Sequence, residues 1–148
     1  MARLLQDTQE RSRGLFARHG RRLELTDGQD SGDVQIPGDP VAEILGVLLD
    51  HARVHGRGTV RLTVRDLGDA LAFDVTDEGQ VAGDPARLFE RGRSAGEGSG
   101  VGLALARDLA TGLGGRLSAT HARPATFTLL VPSGVHRAEE PGPSGAPR

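Results

Sequence analysis

Hydrophobic positions recur along this chain with two periods, and the change from one to the other divides it into elements. Residues 2–19 carry a weak helical pattern, with Leu4, Leu5, Thr8, Leu15 and Phe16 near one face and Gly20 closing it. Residues 21–26 alternate as a short strand, and residues 27–38, rich in Gly, Asp, Ser and Pro, predict a loop. Asp39 then reads as the N-cap of the clearest helix, with Pro40 at its first helical position, where a missing N–H costs nothing. Val41, Ile44, Leu45, Leu48, Leu49 and Ala52 follow on one stripe, and Gly56 and Gly58 end it. Two period-2 segments come next. Val60, Leu62 and Val64 face inward on one, Leu71, Phe73 and Val75 on the other, and the short turn between them predicts an antiparallel hairpin.

Residues 81–100 are irregular apart from a short helical piece near 87–91. A second amphipathic helix over 101–111 uses Val101, Ala104, Leu105, Leu109 and Leu113, and Gly112, Gly114 and Gly115 stop it. Strands over 116–121 and 126–131 complete the pattern, the latter with Phe127, Leu129 and Val131 on one face. Residues 133–148 have three prolines and no apolar periodicity, which predicts a disordered tail after one domain spanning 1–132. This order of elements is α+β, with helices layered on one face of a mixed, mainly antiparallel sheet.

Composition narrows the chemistry. The 148 residues are 36% hydrophobic, and the 22 glycines leave a lean core with four Phe, no Trp and no Tyr. A net charge of −2 offers no basic field for nucleic acid or an anionic membrane. With no Cys, thiol nucleophiles and disulfides are excluded; with no Lys, so are Walker-type phosphate loops and Schiff bases. No apolar run approaches a membrane span and no secretory leader opens the chain, so a cytoplasmic domain is expected.

Four features carry candidate chemistry. Asp77 extends the inward row Leu71, Phe73, Val75, so a carboxylate points toward the core, and Gly79 lets the chain turn beside it. Such an acid at the mouth of an apolar slot suits an exocyclic amine; strand-end capping by a solvated Asp is the plainer reading. The alternating glycines Gly96, Gly98, Gly100 and Gly102 lead into the 101–111 helix, whose free N–H groups would complete an anion cradle. A plain flexible loop is the alternative. Gly92-Arg93-Ser94-Ala95-Gly96 matches a nucleophile elbow in letters, but no strand precedes it and no helix follows at once, which excludes a serine hydrolase. Of the five histidines, His19, His121 and His136 lie near element ends or in the tail, and His55 suits a helix C-terminus. His51 lies on the pocket-facing side of the 40–55 helix, either as a ligand or as a satisfied, partly buried imidazole. Neither an H-x-x-x-H nor an H-E-x-x-H metal spacing is read among them, so no zinc site is expected.

Taken in order, these pieces resemble the ATP-binding catalytic domain of sensor histidine kinases, within the gyrase, chaperone, kinase and mismatch-repair ATPase superfamily. The resemblance runs over residues 38–132. Leu45-Gly46-Val47-Leu48-Leu49-Asp50-His51-Ala52-Arg53-Val54-His55-Gly56 is similar to the N box, and Val75-Thr76-Asp77-Glu78-Gly79 to the G1 box. Leu88-Phe89-Glu90-Arg91 is similar to the F box, and the run from Gly98 to Ala106 to the G2 box, so residues 77–102 would hold the G1 box, lid and G2 box. The resemblance implies a Bergerat-type two-layer sandwich that binds ATP. In that reading Asp77 takes the adenine amino group, and Gly79 forms the pocket wall. Gly98, Gly100 and Gly102 hold the phosphates, Arg91 or Arg93 reaches the γ-phosphate, and Thr126 lies near the adenine. Mg²⁺ would neutralise phosphate charge.

The sequence also departs from that pattern. The family's Mg²⁺-binding Asn falls at His51 in a chain with no Asn, and Mg²⁺ prefers oxygen ligands to imidazole nitrogen. Gln80, Val81 and Ala125 stand where proline, a second G1 glycine and a glycine are usual. No phosphoacceptor helix hairpin is present, so the implied partner is a histidine phosphoacceptor domain or response regulator in trans. A degenerate nucleotide-binding regulatory module and an anti-sigma-factor-type serine kinase are the alternatives.

Overall fold

The computed structural model describes residues 2–27, 36–81, 88–89 and 100–133. Of the expected short helix near 87–91 only residues 88–89 are described, in a turn, and most of the glycine lid and the expected tail from residue 134 onward lie outside the described residues. Among the described residues three helices and five strands follow one another as α1 (Ala2–Arg18), β1 (Leu23–Asp27), α2 (Gly38–His55), β2 (Val60–Asp66), β3 (Ala70–Thr76), α3 (Gly100–Gly112), β4 (Arg116–Ala122) and β5 (Ala125–Pro132).

The strands form one sheet in the order β1-β2-β3-β5-β4. β1 and β2 are parallel, which requires a crossover, and α2 supplies it. Every other pair is antiparallel. Leu62 opposes Val75 and Val64 opposes Phe73; Phe73 in turn opposes Leu129, and Val75 opposes Phe127. All of these side chains join one cluster with Ile44, Leu45, Leu48 and Leu49 of α2 and Leu103, Ala106 and Ala110 of α3. The helices therefore cover one face, and the mixed, mainly antiparallel two-layer sandwich is as expected.

The other face is polar and internally bonded. Arg65 donates to both carboxylate oxygens of Asp74 at 2.7 and 3.2 Å, Thr128 donates to the same carboxylate at 2.6 Å, and Thr120 pairs with Thr128 at 2.9 Å. Period-2 alternation places Thr63, Thr76 and Thr126 on this face as well.

Three local expectations need correction. α2 begins at Gly38 with Pro37 at the N-cap, so Asp39 lies in the first turn, where its charge complements the helix dipole. On α3 the buried face is Leu103, Ala104, Ala106 and Ala110, while Leu105 points out of that face and is exposed. On α1, Leu5, Thr8 and Phe16 are buried but Leu15 is exposed.

Candidate functional site

The site grows from the end of β3. Asp77 follows the last strand residue, keeps the inward direction of Val75, and is only 6% exposed. A buried carboxylate must be bonded. Its Oδ1 accepts from Gly79 N–H at 2.6 Å and from Arg57 N–H at 3.3 Å. Backbone bonds hold the turn on both sides. Asp77 N–H donates to Ala125 C=O, Ala125 N–H to Gly79 C=O, and Glu78 N–H to Arg57 C=O, at 2.9–3.0 Å. The Glu78 carboxylate accepts from Thr59 N–H at 2.8 Å. The acid is thus clamped between the α2–β2 connection and the β4–β5 turn.

Its other oxygen lies over Gly56, the C-cap of α2. A Cβ at Gly56 would stand 2.4 Å from Asp77 Oδ2 and 2.5 Å from Ala52 C=O, so only glycine fits. Among the described residues no donor is bonded to Oδ2. Gly79 is tight for the same reason, since a Cβ there would lie 3.0 Å from Asp77 Oδ1. Gly58 completes the clamp in the left-handed region at φ 66°, with the Glu78 carboxylate where a side chain would go.

Arg21 braces this corner, a role that residues 21–26 did not suggest. Its guanidinium donates to the carbonyls of Gly58, Arg53 and Ala52 at 2.6, 3.0 and 3.2 Å, so it caps the C-terminal turn of α2 while lying over the Phe16 ring. These carbonyls belong to the segment that holds Asp77. The brace needs the chain's fold to be known, since Arg21 and Gly58 are 37 residues apart.

His51 sits one turn before the end of α2. Its ring meets Phe127 edge-on at 5.3 Å, and Phe127 meets Phe89 edge-on at 6.0 Å, with the Arg107 guanidinium over Phe89. Phe89 is buried and so anchors one described point of the long 81–100 segment. Burial, then the neighbouring His55, push the His51 pKa down to about 4 against a weaker opposing pull from Asp50, so the ring is neutral at pH 7. Its Nδ1 is buried and has no hydrogen-bond partner among the described residues. His51 and His55 also stand four residues apart, a spacing that the expectation of no zinc site passed over, with ring centroids 4.8 Å apart. Among the described residues no group of three or more His, Asp or Glu is set to hold a metal ion.

The other expected site residues divide. Gly100 opens α3, and Gly102 faces α2, where a Cβ would touch Val47 at 3.6 Å, one turn from His51. Arg91, Arg93 and Gly98 lie outside the described residues. Thr126 is not on the Asp77 side of the sheet. It opposes Thr76, and the Thr76 hydroxyl donates to it at 3.3 Å, while its own hydroxyl donates to Pro124 C=O at 3.0 Å. Alternation along β5 turns Ala125 and Phe127 to the helix side and Thr126 away from it. Ala125, bonded to both Asp77 and Gly79 through its backbone, is the β5 residue at the acid.

The arrangement offers a fixed carboxylate acceptor in an apolar wall, beside a helix pair whose second member starts in glycine. Comparison with known proteins gives such a site a context. The sequence profile of the histidine kinase-, DNA gyrase B- and HSP90-like ATPases matches residues 37–135. A sensor protein kinase of Pseudomonas aeruginosa, CarS, is 36% identical over 107 residues, covering 68% of this chain and 24% of CarS. The sensor histidine kinase component HK1 of Mycobacterium tuberculosis is 36% identical over 95 residues, covering 60% of this chain and 56% of HK1. The chain thus spans about a quarter to a half of these relatives. Among solved structures, full-length ShkA in complex with AMPPNP superposes with a TM-score of 0.76 at 26% identity, over 91% of this chain and 30% of ShkA. The mycobacterial sensor histidine kinase MprB superposes at 0.72 with 20% identity, over 90% of this chain and 94% of that one, a likeness of fold.

Proposed function

Because the chain belongs to the histidine kinase-, DNA gyrase B- and HSP90-like ATPase family, we propose that it binds ATP as the nucleotide-binding domain of a two-component sensor kinase. In this reading it presents the γ-phosphoryl group to a histidine supplied in trans by a phosphoacceptor domain. The observation that carries the reading is the clamped Asp77 carboxylate. One oxygen is committed to two backbone N–H groups, which fixes the orientation of the other over Gly56. An acceptor so fixed and so buried suits an exocyclic amine such as that of adenine. The ShkA complex with an ATP analogue supports the same ligand class.

Roles for the remaining residues follow from this pose. Gly79 and Ala125 would wall the base, and Gly98, Gly100 and Gly102 would let backbone N–H groups approach the phosphates. Arg91 and Arg93 would supply guanidinium charge to the γ-phosphate, and catalysis would be positioning plus charge stabilisation. Mg²⁺ does not fit the described residues. The position that would ligate it is His51, a neutral imidazole with an orphaned nitrogen, and Mg²⁺ takes oxygen.

His51 also favours a second reading, a regulatory module that signals by nucleotide occupancy without turnover. Calorimetric titration with ADP in a chelating buffer tests the shared premise. Binding is expected, and Asp77→Asn should weaken it at least about tenfold, because an amide presents an N–H or a differently fixed oxygen to the amine. Equal affinity in the two proteins would overturn the assignment of Asp77.

A further inference from the structure

The N-box helix carries two imidazoles where the resemblance implies an oxygen ligand for Mg²⁺. His51 and His55 lie one helical turn apart on α2, and their ring centroids are 4.8 Å apart with planes inclined by 39°. A metal bound by two imidazoles imposes a definite separation. With a metal–nitrogen distance of about 2.1 Å and a ring centroid about 1.1 Å behind the nitrogen, the centroids lie about 4.5 Å apart at a right angle and about 5.2 Å apart at a tetrahedral angle. The observed spacing falls between those limits. His51 Nδ1 adds an independent observation, since it is a buried polar atom without a partner among the described residues, and such atoms are uncommon unless a ligand satisfies them.

We propose that His51 and His55 form a chelating pair for a nitrogen-preferring divalent transition ion of the Zn²⁺ class. Histidines four residues apart on one helix face are a bidentate metal-binding arrangement, and imidazole selects such ions over Mg²⁺. Each imidazole has two nitrogens, so ligation through one leaves the other for a partner in the protein. Two rings supply half of a four-coordinate shell. Water completes it in the free chain, and phosphate oxygens of a bound nucleotide replace water in the complex. This last step rests on the nucleotide reading above; the His pair itself does not.

The test uses the full chain, stripped of metal, and two probes. Zn²⁺ is titrated calorimetrically, and Co²⁺ is followed by its visible ligand-field absorption. One ion per chain is expected, with affinity falling at least about tenfold in His55→Ala and again in His51→Asn. Millimolar Mg²⁺ should not displace it. His55 is exposed, so His55→Ala tests the pair even if His51→Asn fails to fold. His19→Ala/His121→Ala, remote from the pair in sequence, should bind as wild type does. Absence of stoichiometric binding, or binding unchanged in His55→Ala, overturns the proposal. ADP titration in chelator is read separately. Zn²⁺ binding without ADP binding keeps the pair and removes the nucleotide reading, and ADP binding without Zn²⁺ binding does the reverse. When both bind, ADP should tighten Zn²⁺ at least about threefold; no tightening would overturn the phosphate's share of the shell.

Discussion

Gly56→Ala is the substitution in which the geometry and the general rule disagree in sign. The backbone at Gly56, with φ −91°, is open to any residue, so alanine ought to stabilise by about 0.4–1 kcal/mol through the unfolded chain. The added methyl would instead lie 2.4 Å from Asp77 Oδ2, 2.6 Å from its Cγ and 2.5 Å from Ala52 C=O. Ordinary contact needs about 3.4 Å or more, so something must retreat by about 1 Å. Ala52 C=O is backbone and already takes Gly56 N–H and an Arg21 N–H. The movement therefore falls on the Asp77 carboxylate or on the last turn of α2. Overpacking of this kind costs about 1–3 kcal/mol, and losing a backbone bond to the carboxylate adds about 1.5–3 kcal/mol. Less the entropic gain, the net destabilisation is about 1.5–5.5 kcal/mol, or a Tm lower by about 3–20 °C. Gly46→Ala is the control. It lies inside the same helix with open space where its Cβ would go, so it should stabilise by about 0.5–1 kcal/mol. Thermal melts of both variants, with ADP titrations alongside, provide the assay. Gly56→Ala should also weaken ADP at least about tenfold while Gly46→Ala leaves it unchanged. A Gly56→Ala protein as stable as wild type, with full ADP affinity, would refute the packing of the acid against the helix end.

Two other outcomes follow from the same structure. Arg21→Ala removes three hydrogen bonds to the C-terminal carbonyls of α2, so urea denaturation should show a loss of about 1–3 kcal/mol, with Arg21→Lys recovering only part because an ammonium lacks the planar fork. An unchanged midpoint would contradict the brace. For His51, the folded pKa of about 4 lies below the unfolded value near 6.5, so the unfolded chain takes up a proton first as pH falls. Stability from this group is complete above about pH 6.5 and is lost progressively toward about pH 4, by at most about 3 kcal/mol. Melts in chelator at pH 7.5 and pH 5 should show this loss in wild type and a smaller one in His51→Asn; equal losses would remove His51 as the cause.

Much of this architecture is legible in the hydrophobic periods. The β2–β3 hairpin, the α2 stripe and the inward direction of Asp77 all follow from alternation at period 2 or 3.6 in segments long enough to be unambiguous. The same rule applied to β5 separates Thr126 from Phe127, a difference of face that likeness to a motif does not register. α3 misled for a different reason. Its buried face is mostly alanine, and pattern reading favours the larger Leu105, which the structure leaves exposed. Gly56 and Arg21 were out of reach, because a close approach between Gly56 and Asp77, or a guanidinium spanning to Gly58, exists only once α2, β1 and β3 are brought together. The His51–His55 spacing was in plain sight, but its meaning depends on both rings facing the same way, which the 4.8 Å separation supplies.

Discrimination between purines tests the role of Asp77 most directly. ATP and ITP differ at the base chiefly in replacing an exocyclic amine, a donor, by a carbonyl, an acceptor. Competition between them for the chain in chelating buffer should favour ATP at least about tenfold, because the fixed carboxylate would meet the ITP carbonyl with no proton between two acceptors. Asp77→Asn should erase most of that preference. Equal affinity for ATP and ITP in the wild-type chain would contradict the account at its centre.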